Sequence, residues 1–203
     1  RTLMHEADVL ERVLSTVSED DVFYDIGANI GIYTCFVGQR VDRVVAFEPH
    51  EQTAERLREN VTLNGVEADV CECAVADYSG TASLSLPART SPELGTGEFS
   101  LVPLADADDT GDVDVVAGDV LIEQRGLARP TVTKIDVEGA ELQVLSGLAE
   151  ALSACHTIFI EVHTDHVAVD EVASWLTDAG FTLETLKERG NTTFLRARDV
   201  ESG

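Results

Sequence analysis

Two stretches of the chain combine acids with the turns and strand ends where chemistry is usually done. The first, VFYDIGANIGIYT at residues 22–34, runs through apolar residues to Asp25 and then into the turn Gly27-Ala28-Asn29-Ile30-Gly31. Glycine turns between a strand and a helix commonly hold phosphates on backbone N–H groups. A dinucleotide fingerprint, G-x-G-x-x-G, needs its second glycine so that the backbone can approach a pyrophosphate. Asn29 occupies that second position here, and Asp25, two residues before Gly27, would repel a diphosphate. A carboxylate at this point suits a cationic ligand instead. Glu48 ends the next apolar run, 21 residues after Gly27, where an acid can accept hydrogen bonds from both hydroxyls of a ribose. Ribose, positive charge and no phosphate together describe S-adenosylmethionine. An NAD-dependent oxidoreductase is the competing reading, and Asn29 and Asp25 speak against it.

The second stretch is split in sequence. KIDVEGAE places Asp136, Glu138 and Glu141 where a strand turns into a helix, and IEVH places Glu161 and His163 at the end of another strand. Along an extended TIFIEVH, Glu161 and His163 point the same way with Val162 opposite. Ligands of doubly wound sheets sit outside the carboxyl ends of the strands, so these groups converge on one place. Two chemistries fit. A neutral His163 could take a proton from an acceptor hydroxyl while an acid orients it. Alternatively, Asp136, Glu161 and His163 could hold Mg²⁺ or Mn²⁺ and so lower the pKa of a bound hydroxyl. Glu138 and Glu141 are also compatible with a plain helix N-terminus. A binding module without catalysis would keep the glycine turn but would need no such cluster. His5, His50, His156 and His166 have no comparable setting and read as surface residues.

These groups need a frame, and the apolar periods supply one. Residues 8–17 place Leu10, Val13, Leu14 and Val17 on one helical face. VFYDI (22–26), RVVAFEP (43–49) and DVCECAV (69–75) read as strands. The helices between them carry Ile32, Cys35 and Phe36, then Ala54, Leu57 and Val61, the latter ending at Asn64-Gly65. TVTKIDV (131–137) and TIFIEVH (157–163) continue the alternation, with helices bearing Leu142, Leu145 and Leu148, then Val172, Leu176 and Ala179. FTLETL (181–186) and TTFLRAR (192–198) are joined by the short segment KERGN, which permits only antiparallel pairing. The expectation is an α/β, doubly wound, mostly parallel seven-stranded Rossmann-like sheet closed by an antiparallel hairpin. Residues 1–203 read as one domain with an irregular insertion at about 77–118. That insertion holds the short strands TASLSL and VDVVAG, and residues 87–111 read as a mobile lid over the acceptor.

The chain has 203 residues, 44% of them apolar, enough for a sizeable core. Against 38 Asp plus Glu stand 14 Lys plus Arg, a net charge of −24, and only Lys134 and Lys187 are lysines. The acids are spread through apolar periods, which argues against disorder and for a halophile's protein that stays hydrated in concentrated salt. Such a surface repels nucleic acid and anionic membranes. No run approaches a membrane span, and the first residues lack the pattern of a signal peptide, although a chain starting at Arg1 reads as trimmed. Cys71 and Cys73 share one face of a strand, Cys35 and Cys155 are isolated, and all four read as small buried thiols of a reducing cytoplasm.

FYDIGANIGIYT, VVAFEPHEQTAERLRENVTLNG, CAVADYSG, TVTKIDVEGAELQVLSGL and IFIEVH stand in the order and spacing of one family. In these blocks the sequence resembles the FkbM methyltransferases, within the class I S-adenosylmethionine-dependent fold. The resemblance implies O-methylation of a hydroxyl on a sugar, glycan or natural product. It implies Asp25, Gly27, Asn29 and Gly31 around the methionine end of the cofactor, Glu48 on the ribose, Ala74 along the adenine and Asp77 towards the adenine amine. Asp136 would face the reacting centre. Residues 87–116 follow no block of the family, which leaves the acceptor and the oligomeric state open.

The acidic surface generates the first prediction. Self-repulsion is screened as salt rises, so the thermal midpoint should climb from low salt to molar KCl in a calorimetric melt. A midpoint that is flat or falls over that range removes the halophile reading.

Overall fold

The computed structural model describes residues 2–87 and 107–200. Helix α1 (Thr2–Thr16) precedes β1 (Val22–Ile26), and the glycine turn leads into α2 (Ile32–Val37). Then follow β2 (Arg43–Phe47), α3 (Glu51–Leu63), β3 (Ala68–Cys71), β4 (Ala74–Ala76), β5 (Gly80–Pro87), β6 (Ala107–Ala117) and α4 (Gly118–Arg125). The second half contains β7 (Val132–Asp136), α5 (Glu141–Gly147), α6 (Ala149–Leu152), β8 (Thr157–His163), α7 (Val169–Asp178), β9 (Phe181–Arg189) and β10 (Thr192–Asp199). Seven strands form one sheet in the order β3-β2-β1-β7-β8-β10-β9. The pairs from β3 to β8 are parallel, and β10 runs antiparallel to both neighbours. From β1 the chain winds outwards through β2 and β3, then returns to β7 on the other side. The crevice at the carboxyl ends of β1 and β7 is therefore the topological switch point of the sheet.

Alternation along the strands divides the core. Tyr24, Ile26, Phe47, Ile135, Ile158, Ile160 and Val162 face α5 and α7 with Leu145, Leu148, Val172 and Leu176. Phe23, Val132 and Phe159 face the other way, against Leu10, Val13, Tyr33 and Val37. On this second face each strand changes character along its length. Phe23 gives way to Asp25, Val132 to Lys134 and Asp136, and Phe159 to Glu161 and His163. The register sets these charges side by side, Asp25 opposite Lys134 and Asp136 opposite Glu161. At the other end of the sheet, Asp21 accepts hydrogen bonds from the Ser18 N–H and hydroxyl (2.7 and 2.9 Å) and the Thr131 hydroxyl (2.6 Å). His156 Nε2 lies 3.0 Å from the same carboxylate, so His156 is a half-buried staple, not the surface residue expected.

Several expected elements differ. DVCECAV is not one strand. Its ladder partner β2 ends at Phe47 opposite Cys71, and beyond that point the chain turns and takes a new partner, β6. Segment 77–118 is correspondingly less irregular than expected. β5 and β6 pair from Gly80↔Val115 to Pro87↔Ala107 in a second sheet, ordered β4-β6-β5. The core of the expected lid lies outside the described residues. Helix α4 went unseen, although Leu121 and Ile122 are buried. Phe36 turns outwards at 48% exposure, while Tyr33, Thr34 and Val37 face the core. Ala179 lies beyond the end of α7 and is exposed. The closing hairpin is tighter than KERGN suggested, with only Gly190 and Asn191 between its strands. Among the described residues, no helix is long and apolar enough to cross a membrane.

Gly147 is where the two sheets are joined. A Cβ added there would lie 1.8 Å from the Ala76 carbonyl oxygen, so α5 touches β4 backbone to backbone. Gly147→Ala should force the two apart and cost about 1–3 kcal/mol, the scale of overpacking. A urea titration should show a lower midpoint with an unchanged slope; an unchanged midpoint would show that the contact is slack.

Candidate active site

The turn after β1 is held in a shape that few side chains tolerate. Gly27, Asn29 and Gly31 all have positive φ, at 77°, 52° and 87°. The Gly27 and Ala28 N–H groups both donate to the Phe47 carbonyl, at 3.0 and 2.9 Å. A Cβ on Gly27 would stand 1.9 Å from the Asp136 carbonyl oxygen, so the turn lies directly against the end of β7. Asn29 tolerates the left-handed conformation, and its Oδ1 accepts the Ile30 N–H at 2.8 Å. Glu48 braces the turn. Its two carboxylate oxygens accept the N–H groups of Asn29 (2.9 Å) and His50 (3.0 Å). Burial pushes the Glu48 carboxyl up to about 7, against the pull of those two donors.

Asp25 and Asp136 flank a buried lysine. Asp25 is fully buried, and its Oδ2 accepts the Thr34 N–H at 2.9 Å and the Thr34 hydroxyl at 2.6 Å. Its Oδ1 is buried without a hydrogen-bond partner among the described residues. Burial raises the Asp25 pKa even though Lys134 and Thr34 oppose the shift. Lys134 is 5% exposed, bonds Asp136 Oδ2 at 2.8 Å, and lies 4.5 Å from the centre of the Tyr33 ring. Burial alone would favour its neutral amine; the charges of Asp136 and Asp25 more than reverse this and keep the ammonium. Asp136 loses solvation in the same place, but Lys134 and His163 together hold its pKa below the usual value.

His163 is enclosed by acids. Glu141 Oε1 accepts both the His163 backbone N–H and the Nδ1 side of the ring, each at 2.9 Å. Nε2 faces Glu138 at 3.2 Å and Glu161 at 3.9 Å. Desolvation would lower the pKa of this ring, yet Glu138, Glu141 and Asp136 raise it to about 11. These acids thus favour the imidazolium form of His163 in the ligand-free protein. This corrects the expected neutral base, which is already protonated. Glu141 does more than favour a helix N-terminus, since it is fully buried and fixes the histidine ring. One donor atom from each of Asp136, Glu161 and His163 falls within 4.8 Å of the others.

The structure thus brings Asp25, Gly27, Asn29, Gly31 and Glu48 into one turn, and Asp136, Glu161 and His163 into an adjoining cluster. Ala74 and Asp77 belong to the other sheet. Ala74 begins β4, buried with Ala76 and Val115, and Asp77 follows that strand as an exposed residue. The sequence reading missed Thr34 and Lys134. Lys134 had a visible signal, being one of two lysines in the chain and lying inside an apolar strand.

The family described as methyltransferase FkbM domain matches residues 25–183. A hexuronic acid methyltransferase, AglP, of Haloferax volcanii is 30% identical over 98% of this chain and 79% of its own length. The 31-O-demethyl-FK506 methyltransferase FkbM of Streptomyces tacrolimicus is 32% identical over 80% of this chain and 73% of its own. Among solved structures, a methyltransferase FkbM from Methylobacillus flagellatus superposes with a TM-score of 0.60 at 20% identity. That likeness spans 89% of this chain and 44% of the other. The M. capricolum TrmK structure, in complex with S-adenosyl-homocysteine, gives 0.59 at 10% identity over 95% and 68% of the two chains. These structures establish the fold, the Rossmann-like sheet of class I methyltransferases.

Glu48 gives this site a pH signature. Its folded pKa of about 7 exceeds the ordinary value of 4.5. The fold therefore favours the protonated acid, and that contribution is complete below 4.5 and lost as pH rises through 7. Glu48→Gln has no such titration. The stability of the variant relative to the parent should rise between those pH values, by on the order of 3 kcal/mol at most. Denaturant melts of the ligand-free proteins at a series of pH values measure this, and parallel pH profiles would refute it.

Proposed function

The chain belongs to the FkbM methyltransferase family, and from that premise we propose that it transfers the methyl group of S-adenosylmethionine to an oxygen of a sugar, glycan or natural product. The observation that carries this reading is the charge placement at the switch point. A buried acid, a glycine turn and a second buried acid surround a crevice with no phosphate-compatible glycine at position 29. The residues fit the cofactor. Asp25 Oδ1 is a buried acceptor without a partner, suited to the cationic methionine end. Each Glu48 oxygen already holds one N–H and keeps a lone pair for a ribose hydroxyl. Ala74 and Asp77 remain assigned to the adenine. The four free cysteines agree with a cytoplasmic setting.

When bound, the cofactor supplies an electrophilic methyl group on a sulfonium. The chain supplies alignment and a place for the proton. Transfer to the acceptor oxygen would break the sulfur–methyl bond and leave the thioether S-adenosylhomocysteine, and a carboxylate of Asp136 or Glu161 would take the acceptor's acidified proton. His163, already charged, keeps Glu138 and Glu161 gathered round that point. The acceptor is a hydroxyl in this reading. The name of the Haloferax volcanii relative brings in a uronic acid carboxylate as the alternative oxygen, which would need no base. A second reading rests on the donor set. Two carboxylates and one imidazole within 4.8 Å suit Mg²⁺ or Mn²⁺, which would be held by Asp136, Glu161 and His163 once the ring proton of His163 is displaced.

Calorimetry should show S-adenosylmethionine or S-adenosylhomocysteine binding, with NAD much weaker. Asp25→Ala should weaken binding by more than ~1 kcal/mol, the scale of a charge-assisted hydrogen bond. Unchanged affinity would dislodge Asp25 from the site. Labelled methyl donor incubated with neutral and uronic-acid-bearing glycans should mark one class and not the other. Label on neither argues against a sugar acceptor. EDTA abolishing transfer, with Mn²⁺ restoring both transfer and a raised melting temperature, would favour the metal reading; full activity in EDTA would end it.

A further inference from the structure

Position 134 is an unexpected place for a lysine. It lies in β7, a central strand paired on both sides, and it shares a face with Val132. By burial alone, an aliphatic residue would suit that position better. The side chain is 6% exposed, and its ammonium sits under the Tyr33 ring of α2. Around it stand Asp25 of β1, Asp136 of its own strand, and, past Asp136, Glu161 and His163 of β8 with Glu138 of the following turn. The chain carries 12 arginines and two lysines, yet the buried ammonium is a lysine. A compact point charge on a thin stem fits beneath an aromatic ring, where a planar guanidinium needs far more room.

We infer that Lys134 is a positioning residue for methyl transfer, the counter-ion that fixes the Asp136 carboxylate against the reacting centre. The inference rests on the methyltransferase reading above. The Asp136 main chain closes over Gly27, so the backbone of this residue is already set by the cofactor turn. Its side chain is then oriented by the 2.8 Å bond from Lys134 to Oδ2. With Oδ2 engaged by Lys134, the other oxygen is left for the reacting centre. Asp136 is 28% exposed at its side chain, so without Lys134 it would be free to swing into water. Misplacement of a reacting group by about 1 Å is enough to cost about 10²-fold in rate.

The test is a double-mutant cycle read on kcat and on cofactor affinity. Lys134→Met should lower kcat by about 10²-fold while the calorimetric Kd for S-adenosylhomocysteine changes by less than about tenfold, which is 1.4 kcal/mol. Lys134→Gln keeps a hydrogen-bond donor without the charge and should recover part of the loss. In an Asp136→Asn background, Lys134→Met should add nothing further, because the residue through which it acts is already gone. A wild-type kcat in Lys134→Met overturns the inference. So does a loss that multiplies with that of Asp136→Asn, or one that appears equally in Kd, since either marks a general structural role. Should the Met variant fail to fold, the Gln variant in both backgrounds decides the same comparison. Methyl transfer by the parent enzyme is measured first, and its absence would refute the activity rather than the role of Lys134.

Discussion

The burial of Lys134 opposite Asp25 and bonded to Asp136 is the constraint on which the rest of the site depends. A buried carboxylate and a buried ammonium each carry a desolvation cost of several kcal/mol. Neither would persist alone on the inner half of a sheet. The parallel register puts them opposite each other, and the next residue on the same face of β7 is Asp136. One hydrogen-bonded ladder therefore assembles an alternating row of charge that no single element could hold. A slip of β7 by one residue would turn Lys134 and Asp136 into the apolar layer beneath α5 and α7. The functional register and the folding register are the same, so the sheet cannot form correctly without also forming the site.

The glycine turn adds the second half of that logic. Gly27 and Ala28 bond the end of β2, and Gly27 lies against the carbonyl of Asp136. Three strand ends are gathered at one point by backbone contacts alone. Glu48, itself buried, braces the same turn through two N–H groups. The second acidic cluster is organised differently, through side chains. Glu141 grips His163 and the ring gathers Glu138 and Glu161, so charge balance replaces backbone geometry as the organising device.

Much of this was legible in the sequence, and the limits were physical. β1, β2, β7 and β8 were visible because their apolar runs are buried on both faces and stop at turn residues. Asp25, Glu48 and Asp136 followed from their positions at strand ends. The end of β3 was not legible, because a ladder stops where its partner stops, and β2 is more than twenty residues away in sequence. The first part of the strand ADDTGDVDVVA, before the recognised VDVVA, was hidden by its composition, since aspartate is depleted in strands. His163 was found but given the wrong protonation state. Spacing showed that acids stood near it, whereas only the fold shows that both of its ring nitrogens face them.

The small sheet carries a consequence of its own. Pro87 and Ala107 are opposite partners across β5 and β6, so the segment between them begins and ends about one strand spacing apart, ~4.8 Å. Closing a loop on so short a base costs little more as the loop lengthens, growing only with the logarithm of its length. A lineage could exchange that segment wholesale, longer or shorter, without disturbing a single residue of β1, β7 or β8. The fold thus joins a large sheet of fixed register to a small ladder whose open end accepts a segment of variable length.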